Sequence, residues 1–401
     1  MRVTRHPSRS ISPGSMTKLN EHHNESPAMV PSADKMLTQV LKGLEGTKYA
    51  STSLDPLAGG TGNFLYRAQL CHPLDDSTKE VVVKHGEGFA ASSPNFQLPT
   101  DRCLIEAKCL SALASFPVES KITQPFSFVV KTPKCLLYDE STCTQIQELL
   151  PNAMDLKTYS LKYYASPTPD ALEPQCRQFG AALGSWLHEF HRWSGQQSDL
   201  VQTTANNRDM RKIKHMINFQ WLSQRLEKFP STLAEAKEVF EEVSNMAAAE
   251  MDDDKLLPVI HGDFWTGNIL VPNDPLQEGR KVNAYVIDWE LAQLGVPNLD
   301  VGQMFAELYE LWLYKKITAG LWMAQGFVEG YGKVSDQFAF RTAIQVGAHL
   351  VCFGTSVQGW GTPEQVEEVA RTGKDIIVNA WRKNRTWFAG GDLACLFSPA
   401  E

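Results

Sequence analysis

The segment His261-Gly262-Asp263-Phe264-Trp265-Thr266-Gly267-Asn268 interrupts an apolar stretch, with Leu256 to Ile260 before it and Ile269-Leu270-Val271 after it. Short apolar runs bounded by polar turn residues read as buried strands, so the pattern is strand, loop, strand. Asn283 to Ile287 reads as a further strand, with Asp288 at its end and Trp289-Glu290 beyond. A chain that buries these strands holds Asp263, Asn268 and Asp288 on a rigid frame, where polar side chains are aimed at a site. Asp and Asn are also ordinary turn residues, so each is weak alone. The set is what constrains the chain.

The rest of the sequence divides by period. Asp34 to Leu44 repeats apolar residues at helical spacing. Leu54 to Leu70 reads as two strands around the turn Gly59-Gly60-Thr61-Gly62-Asn63. The run Glu80-Val81-Val82-Val83-Lys84 is a third strand. Asp101 to Phe116 is helical, and Phe126–Val130, Cys135–Tyr138 and Gln145–Leu149 are short strands. After Pro151 the pattern turns helical, over 174–193, 213–226, 231–251, 299–314, 318–331, 335–358 and 363–388. The expected organisation is a tail over 1–35, a strand-rich unit over 36–150, a helical unit over 151–390 carrying the polar loop, and a short tail over 391–401. The fold class is α+β.

Composition limits the partners. The 401 residues are 43% hydrophobic and 21% charged, with a net charge of −8. That is an ordinary globular balance, and the negative charge argues against a general nucleic-acid or anionic-membrane binder. No apolar run approaches the roughly 20 residues of a membrane span. The eight cysteines are scattered with no Cys-x-x-Cys, which reads as reduced thiols and a cytoplasmic setting. Arg2, Arg5, Arg9 and Lys18, without an acid among the first twenty residues, leave a mitochondrial address as the minor alternative.

Three further features fall in order. The Gly-rich turn lies between two strands rather than between a strand and a helix, which argues against a dinucleotide or Walker loop. It suits a hairpin whose backbone N–H groups approach phosphate. Lys84 closes the next strand, and Glu106 lies on the following helix in a register that can meet it. A hairpin glycine, an edge-strand lysine and a surface glutamate are the bland alternatives. The ordered set with Asp263, Asn268 and Asp288 is what phosphoryl transfer from ATP requires: a carboxylate for the attacking hydroxyl, oxygen donors for Mg²⁺ and a cation for the phosphates.

On these residues the chain resembles the aminoglycoside phosphotransferase and choline-kinase-like superfamily. Within it, the chain resembles the methylthioribose kinases and, more closely, the fungal 4-hydroxytryptamine kinases. The resembling segments include Gly59 to Asn63, Val82 to His85, Arg102 to Glu106, Trp265 to Leu270, Ile287 to Leu291 and Leu299 to Gly302, within residues 50 to 390. The resemblance implies a bilobal protein-kinase-like fold and transfer of the γ-phosphoryl of ATP to a small-molecule hydroxyl, with Asp263 as catalytic base. It implies that Gly60, Gly62, Asn63 and Lys84 bind ATP, with Glu106 orienting Lys84, and that Glu148, Leu149 and Leu150 read adenine. Asn268, Asp288 and Glu290 would hold Mg²⁺, and Asp300 would brace the loop.

Departures bear on the acceptor. The paired arginine of methylthioribose kinases has no counterpart near Ala343–Gly347, where Arg341 is out of register. Arg382-Lys383-Asn384-Arg385 is basic where antibiotic kinases are acidic. Trp265, Trp289, Trp312, Trp322 and Trp360 are candidates to line an aromatic or amine pocket, with Glu307, Glu310 and His349 as candidate polar contacts. Asp-Phe-Gly and Ala-Pro-Glu signatures of protein kinases are missing. An inactive scaffold is the remaining alternative, and intact Lys84, Asp263, Asn268 and Asp288 argue against it.

Overall fold

The computed structural model describes residues 33–117, 122–123, 125–252 and 257–397. Most of the expected N-terminal tail and the last residues of the C-terminal one lie outside these. The strands in chain order are β1 (Ser51–Pro56), β2 (Phe64–Leu70), β3 (Glu80–His85), β4 (Phe89–Ala90), β5 (Ser93–Gln97), β6 (Ile122–Thr123), β7 (Phe126–Lys131), β8 (Cys135–Asp139), β9 (Thr144–Glu148), β10 (Ala153–Asp155), β11 (Val259–Ile260), β12 (Ile269–Pro272), β13 (Lys281–Val286) and β14 (Gln293–Leu294). The helices used below are α1 (Ala33–Gly43), α2 (Asp101–Leu113), α3 (Leu156–Tyr163), α4 (Glu173–Ser194), α5 (Arg208–His215), α6 (Asn298–Lys315), α7 (Ala319–Tyr331), α8 (Asp336–His349) and α9 (Pro363–Trp381).

The chain forms two compact units, one up to Ala114 together with 133–151, the other 115–132 together with 152 onward. In the first, β1-β2-β3-β9-β8 make an antiparallel sheet. Alternation sorts its faces. Tyr66, Ala68, Leu70, Val81 and Val83 point to one side and form a core with Met36 and Val40 of α1 and with Leu44 just after it. Lys84 is therefore aimed at the opposite face.

The second unit holds a smaller sheet, β10-β12-β13-β7-β6, among helices. Here the sequence division at residue 150 differs from the structure. Strand β7 reads locally like its neighbours in the chain, but it pairs in parallel with β13, Phe128 opposite Val282 and Val130 opposite Ala284. Non-local pairing of this kind has no signature in the strand itself. Residues 391–397 also differ from a tail: Leu393, Leu396 and Phe397 are buried, and Tyr309 donates to Asp392 at 2.9 Å.

Helix α4 carries Phe179, Leu183, Leu187 and Phe190 on its buried face, as its period requires. It packs on α7 almost backbone to backbone. A Cβ at Gly180 would lie 2.1 Å from the Met323 carbonyl oxygen and one at Gly184 1.9 Å from that of Phe327; across the contact, one at Gly330 would lie 2.1 Å from the Ala181 oxygen. Rigid backbone cannot make room for a methyl group there. Gly184→Ala is expected to lower stability by about 1–3 kcal/mol, the range for overpacking, measured by chemical unfolding against wild type.

Candidate active site

The site residues of the first unit converge on α2. Lys84 and Gln145 are paired across β3 and β9, and both reach toward the helix. Lys84 Nζ lies 2.7 Å from one Glu106 carboxylate oxygen and 2.9 Å from the other, with 8% and 1% of the two side chains exposed. Gln145 Nε2 adds a donor to Glu106 at 3.3 Å and donates to the Cys103 carbonyl at 2.9 Å. The lysine is thus held rigid on a buried carboxylate. Gly60 and Gly62 lie in the β1–β2 turn, which Arg102 holds from beneath. Its fully buried guanidinium donates to the Gly62 carbonyl and to Asn63 Oδ1, both at 3.0 Å. Arg102 entered the sequence reading only as part of a resembling segment; its bonding role shows only in three dimensions. Glu148 ends β9 and accepts from the Lys134 backbone at 3.2 Å, with Leu149 and Leu150 following half-buried.

In the second unit the polar loop is gripped from below. Asp300, fully buried on α6, accepts the backbone N–H of His261 at 2.8 Å and of Gly262 at 2.9 Å. His191 of α4 lies 3.0 Å from the same carboxylate and is itself held by Tyr331. Gly262 has φ +77°, and a Cβ there would lie 2.2 Å from the Leu291 carbonyl oxygen, so both conformation and space call for glycine. His261 Nε2 donates to the Ile287 carbonyl at 2.9 Å, which leaves Nδ1 to accept from the Asp263 N–H at 3.2 Å.

These constraints place Asp263 at the centre of a hydrogen-bonded set. Its Oδ1 accepts from Gln303 at 2.7 Å and from Lys214 at 2.8 Å; Asn268 Nδ2 donates to its Oδ2 at 3.2 Å and to its carbonyl at 3.0 Å. Burial works against the ionised carboxylate, but the Lys214 ammonium and the hydrogen bonds from Lys214 and Gln303 outweigh it and hold its pKa below the ordinary value. Asp263 keeps 24% of its side chain exposed while Lys214 keeps 5%. Lys214 and Gln303 were missed from sequence. Gln303 had a legible signal, because Asp300, Gln303, Glu307 and Glu310 form a helical stripe in an otherwise apolar run. Lys214 comes from α5, distant in sequence, and had none.

Asp288 follows β13 in the left-handed region, φ 67° and ψ 62°. A non-glycine residue held there marks strain that a site can use. The Ile287 N–H donates to the Asn268 carbonyl at 3.0 Å, which ties the residue before Asp288 to Asn268, so two of the three predicted metal ligands stand on bonded backbone. Glu290 is buried on the short turn that follows, and Asn207 holds that turn by donating to the Glu290 and Ala292 carbonyls.

Along α6 a second polar group abuts the loop. Glu307 accepts from Thr266 at 3.4 Å, meets Lys157 at 3.1 Å and His349 at 2.9 Å. Burial raises its pKa, but Lys157 and His349 bring it down to about 2. Glu310, 1% exposed, has an Oε1 without a hydrogen-bond partner; burial and then the Glu307 carboxylate push its pKa well above the ordinary range. Of the tryptophans, Trp289 and Trp322 are core residues, while Trp265 and Trp360 flank Lys157. Arg341 is paired with Glu250 at 2.7 Å.

A model of the phosphotransferase enzyme family matches residues 74–335. The chain belongs to that family. Phosphotransferase FrzJ of Cladobotryum sp is 28% identical over 368 residues, covering 89% of this chain and 95% of that protein. The 4-hydroxytryptamine kinase of Psilocybe cyanescens is 24% identical over 352 residues, covering 84% and 92%. Among solved structures, a choline/ethanolamine kinase family protein from Mesorhizobium loti gives a TM-score of 0.46 at 13% identity, covering 90% of this chain and 99% of that one. Wild-type aminoglycoside 2'-phosphotransferase-IIIa gives 0.47 at 13% identity, covering 88% and 99%. Among the described residues of this phosphotransferase, no helix is long and apolar enough to cross a membrane.

Two outcomes follow from the grip on the loop. Asp300→Ala leaves two buried backbone N–H groups unpaired, each costing about 1–3 kcal/mol; a clear fall in melting temperature is expected. Glu310 behaves oppositely. Its raised pKa means that the folded protein binds more protons than the unfolded one above the ordinary value of 4.5, so stability falls as pH rises through that region. Glu310→Gln is expected to raise the melting temperature at pH 7 and to leave it nearly unchanged near pH 4, read by thermal scans at both pH values.

Proposed function

We propose that this phosphotransferase is an ATP-dependent kinase that moves the γ-phosphoryl group onto a hydroxyl of a small molecule. The observation that carries the reading is Asp263. Its Oδ1 is fixed by Lys214 and Gln303, its Oδ2 accepts from Asn268, and 24% of the side chain stays exposed. A carboxylate locked in one orientation is suited to align an attacking hydroxyl and take up its proton as the transfer proceeds. Its lowered basicity fits a reaction in which positioning and electrostatics outweigh early proton removal.

The remaining residues take roles within their own units. Lys84, held by Glu106, is assigned to the ATP phosphates; Asn63 and the backbone around Gly60 and Gly62 are assigned to the same ligand. The backbone at Glu148, Leu149 and Leu150 is assigned to adenine. Asn268, Asp288 and Glu290 offer only oxygen donors once the Asn268 amide nitrogen is committed to Asp263, a set that fits Mg²⁺. When bound, Mg²⁺ supplies neutralisation of the triphosphate charge. Two relatives are 4-hydroxytryptamine kinases by name, which supports an aromatic or amine-bearing acceptor. The reading assumes a cytoplasmic protein and no nucleic-acid or membrane partner.

The test is ADP release from Mg·ATP with a panel of 4-hydroxytryptamine, choline, homoserine, methylthioribose and an aminoglycoside. Turnover with one acceptor is expected, reduced about 10²–10⁴-fold in Asp263→Asn, the usual cost of losing a general base, and strongly reduced in Lys84→Met. Failure of the wild-type protein to bind Mg·ATP in a thermal-shift titration overturns the reading.

A further inference from the structure

Lys157 stands in an environment built for an ammonium ion. It extends from α3, whose first turn is capped by Asp155 accepting from the Thr158 N–H at 2.8 Å. Its Nζ lies 4.6 Å from the ring centre of Trp360 and 5.4 Å from that of Trp265, and 3.1 Å from Glu307 Oε2. Two indole faces and a buried carboxylate are the elements that recognise organic cations, because the ring quadrupole and the acid both favour positive charge in a desolvated place. An ion pair alone does not need them: a buried lysine–glutamate pair gains little over apolar packing.

The cage adjoins the loop. Trp265 belongs to the loop itself, and Thr266 donates to the same Glu307 oxygen that Lys157 meets. Trp360 has an indole N–H without a hydrogen-bond partner, as has Glu310 Oε1 on the next turn of α6. The Glu307 carboxylate and the two indole faces are what surround the cation, which the chain supplies from within, and Lys315 Nζ lies 4.9 Å from the centre of the same Trp360 ring.

We propose that Lys157 fills an ammonium-binding cage formed by Trp265, Trp360 and Glu307, and so denies that position to the ammonium group of any ligand. Shortening the side chain opens a site for a small primary alkylammonium ion. Resting on the reading of Asp263 as the acceptor-facing group, Lys157 is then a specificity-determining residue. An acceptor with a cationic group must have it received elsewhere in the second unit.

The experiment reads binding and needs no turnover, so it separates this inference from the proposed activity. Lys157→Ala removes the equivalent of propylammonium. The variant and the wild type are titrated with propylammonium chloride against sodium chloride at equal ionic strength, followed by melting temperature and calorimetry. Expected is saturable stabilisation of Lys157→Ala by propylammonium, none in the wild type, and none in the double variant Lys157→Ala/Trp360→Leu. Lys157→Met, which fills the space without the charge, is expected to fold and to show no response. If Lys157→Ala does not fold alone, recovery on refolding with propylammonium but not with sodium is the equivalent result. No saturable response in either form of the test, or an equal response in the wild type, overturns the inference. A wild type that fails to bind Mg·ATP, together with this pattern of binding, would remove the kinase reading and leave the cage.

Discussion

The polar stripe along α6 is the constraint on which the second unit depends. Asp300, Gln303, Glu307 and Glu310 recur at helical spacing on a helix whose other positions are almost all buried and apolar. An unpaired polar group in such a place is costly, and three of the four are satisfied by hydrogen bonds, while Glu310 keeps an Oε1 without one. Asp300 is satisfied by the loop backbone, Gln303 by Asp263 and Lys214, and Glu307 by Thr266, Lys157 and His349. The loop conformation is therefore the solution to a hydrogen-bonding requirement set by one helix. The side chain of Asp263 is held by the same requirement.

The stripe also links the two polar groups around the loop. Lys214 faces Phe353 at 5.8 Å, and His349 stacks on the same ring at 4.9 Å. Phe353 lies in a wide helical turn, Leu350–Gly354, which contacts a second such turn, Met216–Gln220, through Cys352 and the Asn218 carbonyl. Widened turns of this kind are often found at functional sites, where they re-aim side chains. Here one follows directly on His349 and the other begins two residues after Lys214, so the helices that carry both residues depart from regular winding just beyond them.

Much of this was legible in the sequence. The Gly-rich hairpin, Lys84, Asp263, Asn268 and Asp288 stood at or near ends of elements that period and turn chemistry mark clearly, and the pair of Lys84 with Glu106, mid-helix in α2, formed as the register allowed. What escaped was set by contacts far apart in the chain. Nothing in Phe126–Lys131 tells that it joins β13 rather than the first sheet. Arg102 reads as a helix-surface arginine until the Gly62 carbonyl is seen against it. Lys214 sits in a basic helix among Lys212, Arg211 and Arg208, which reads as a solvated face. A short helix such as α3 has no legible signal, because two turns give too few periods to count.

Phosphorus-31 resonance of the protein with Mg·ATP and a hydroxylated acceptor tests the central claim most directly, since it distinguishes transfer from hydrolysis. The γ-phosphate signal should decline as a phosphomonoester signal grows, with both changes strongly slowed when Gln303→Leu and Lys214→Met together free the Oδ1 of Asp263. A signal of inorganic phosphate alone, or transfer at the wild-type rate after the loss of both contacts to Oδ1, would contradict the account.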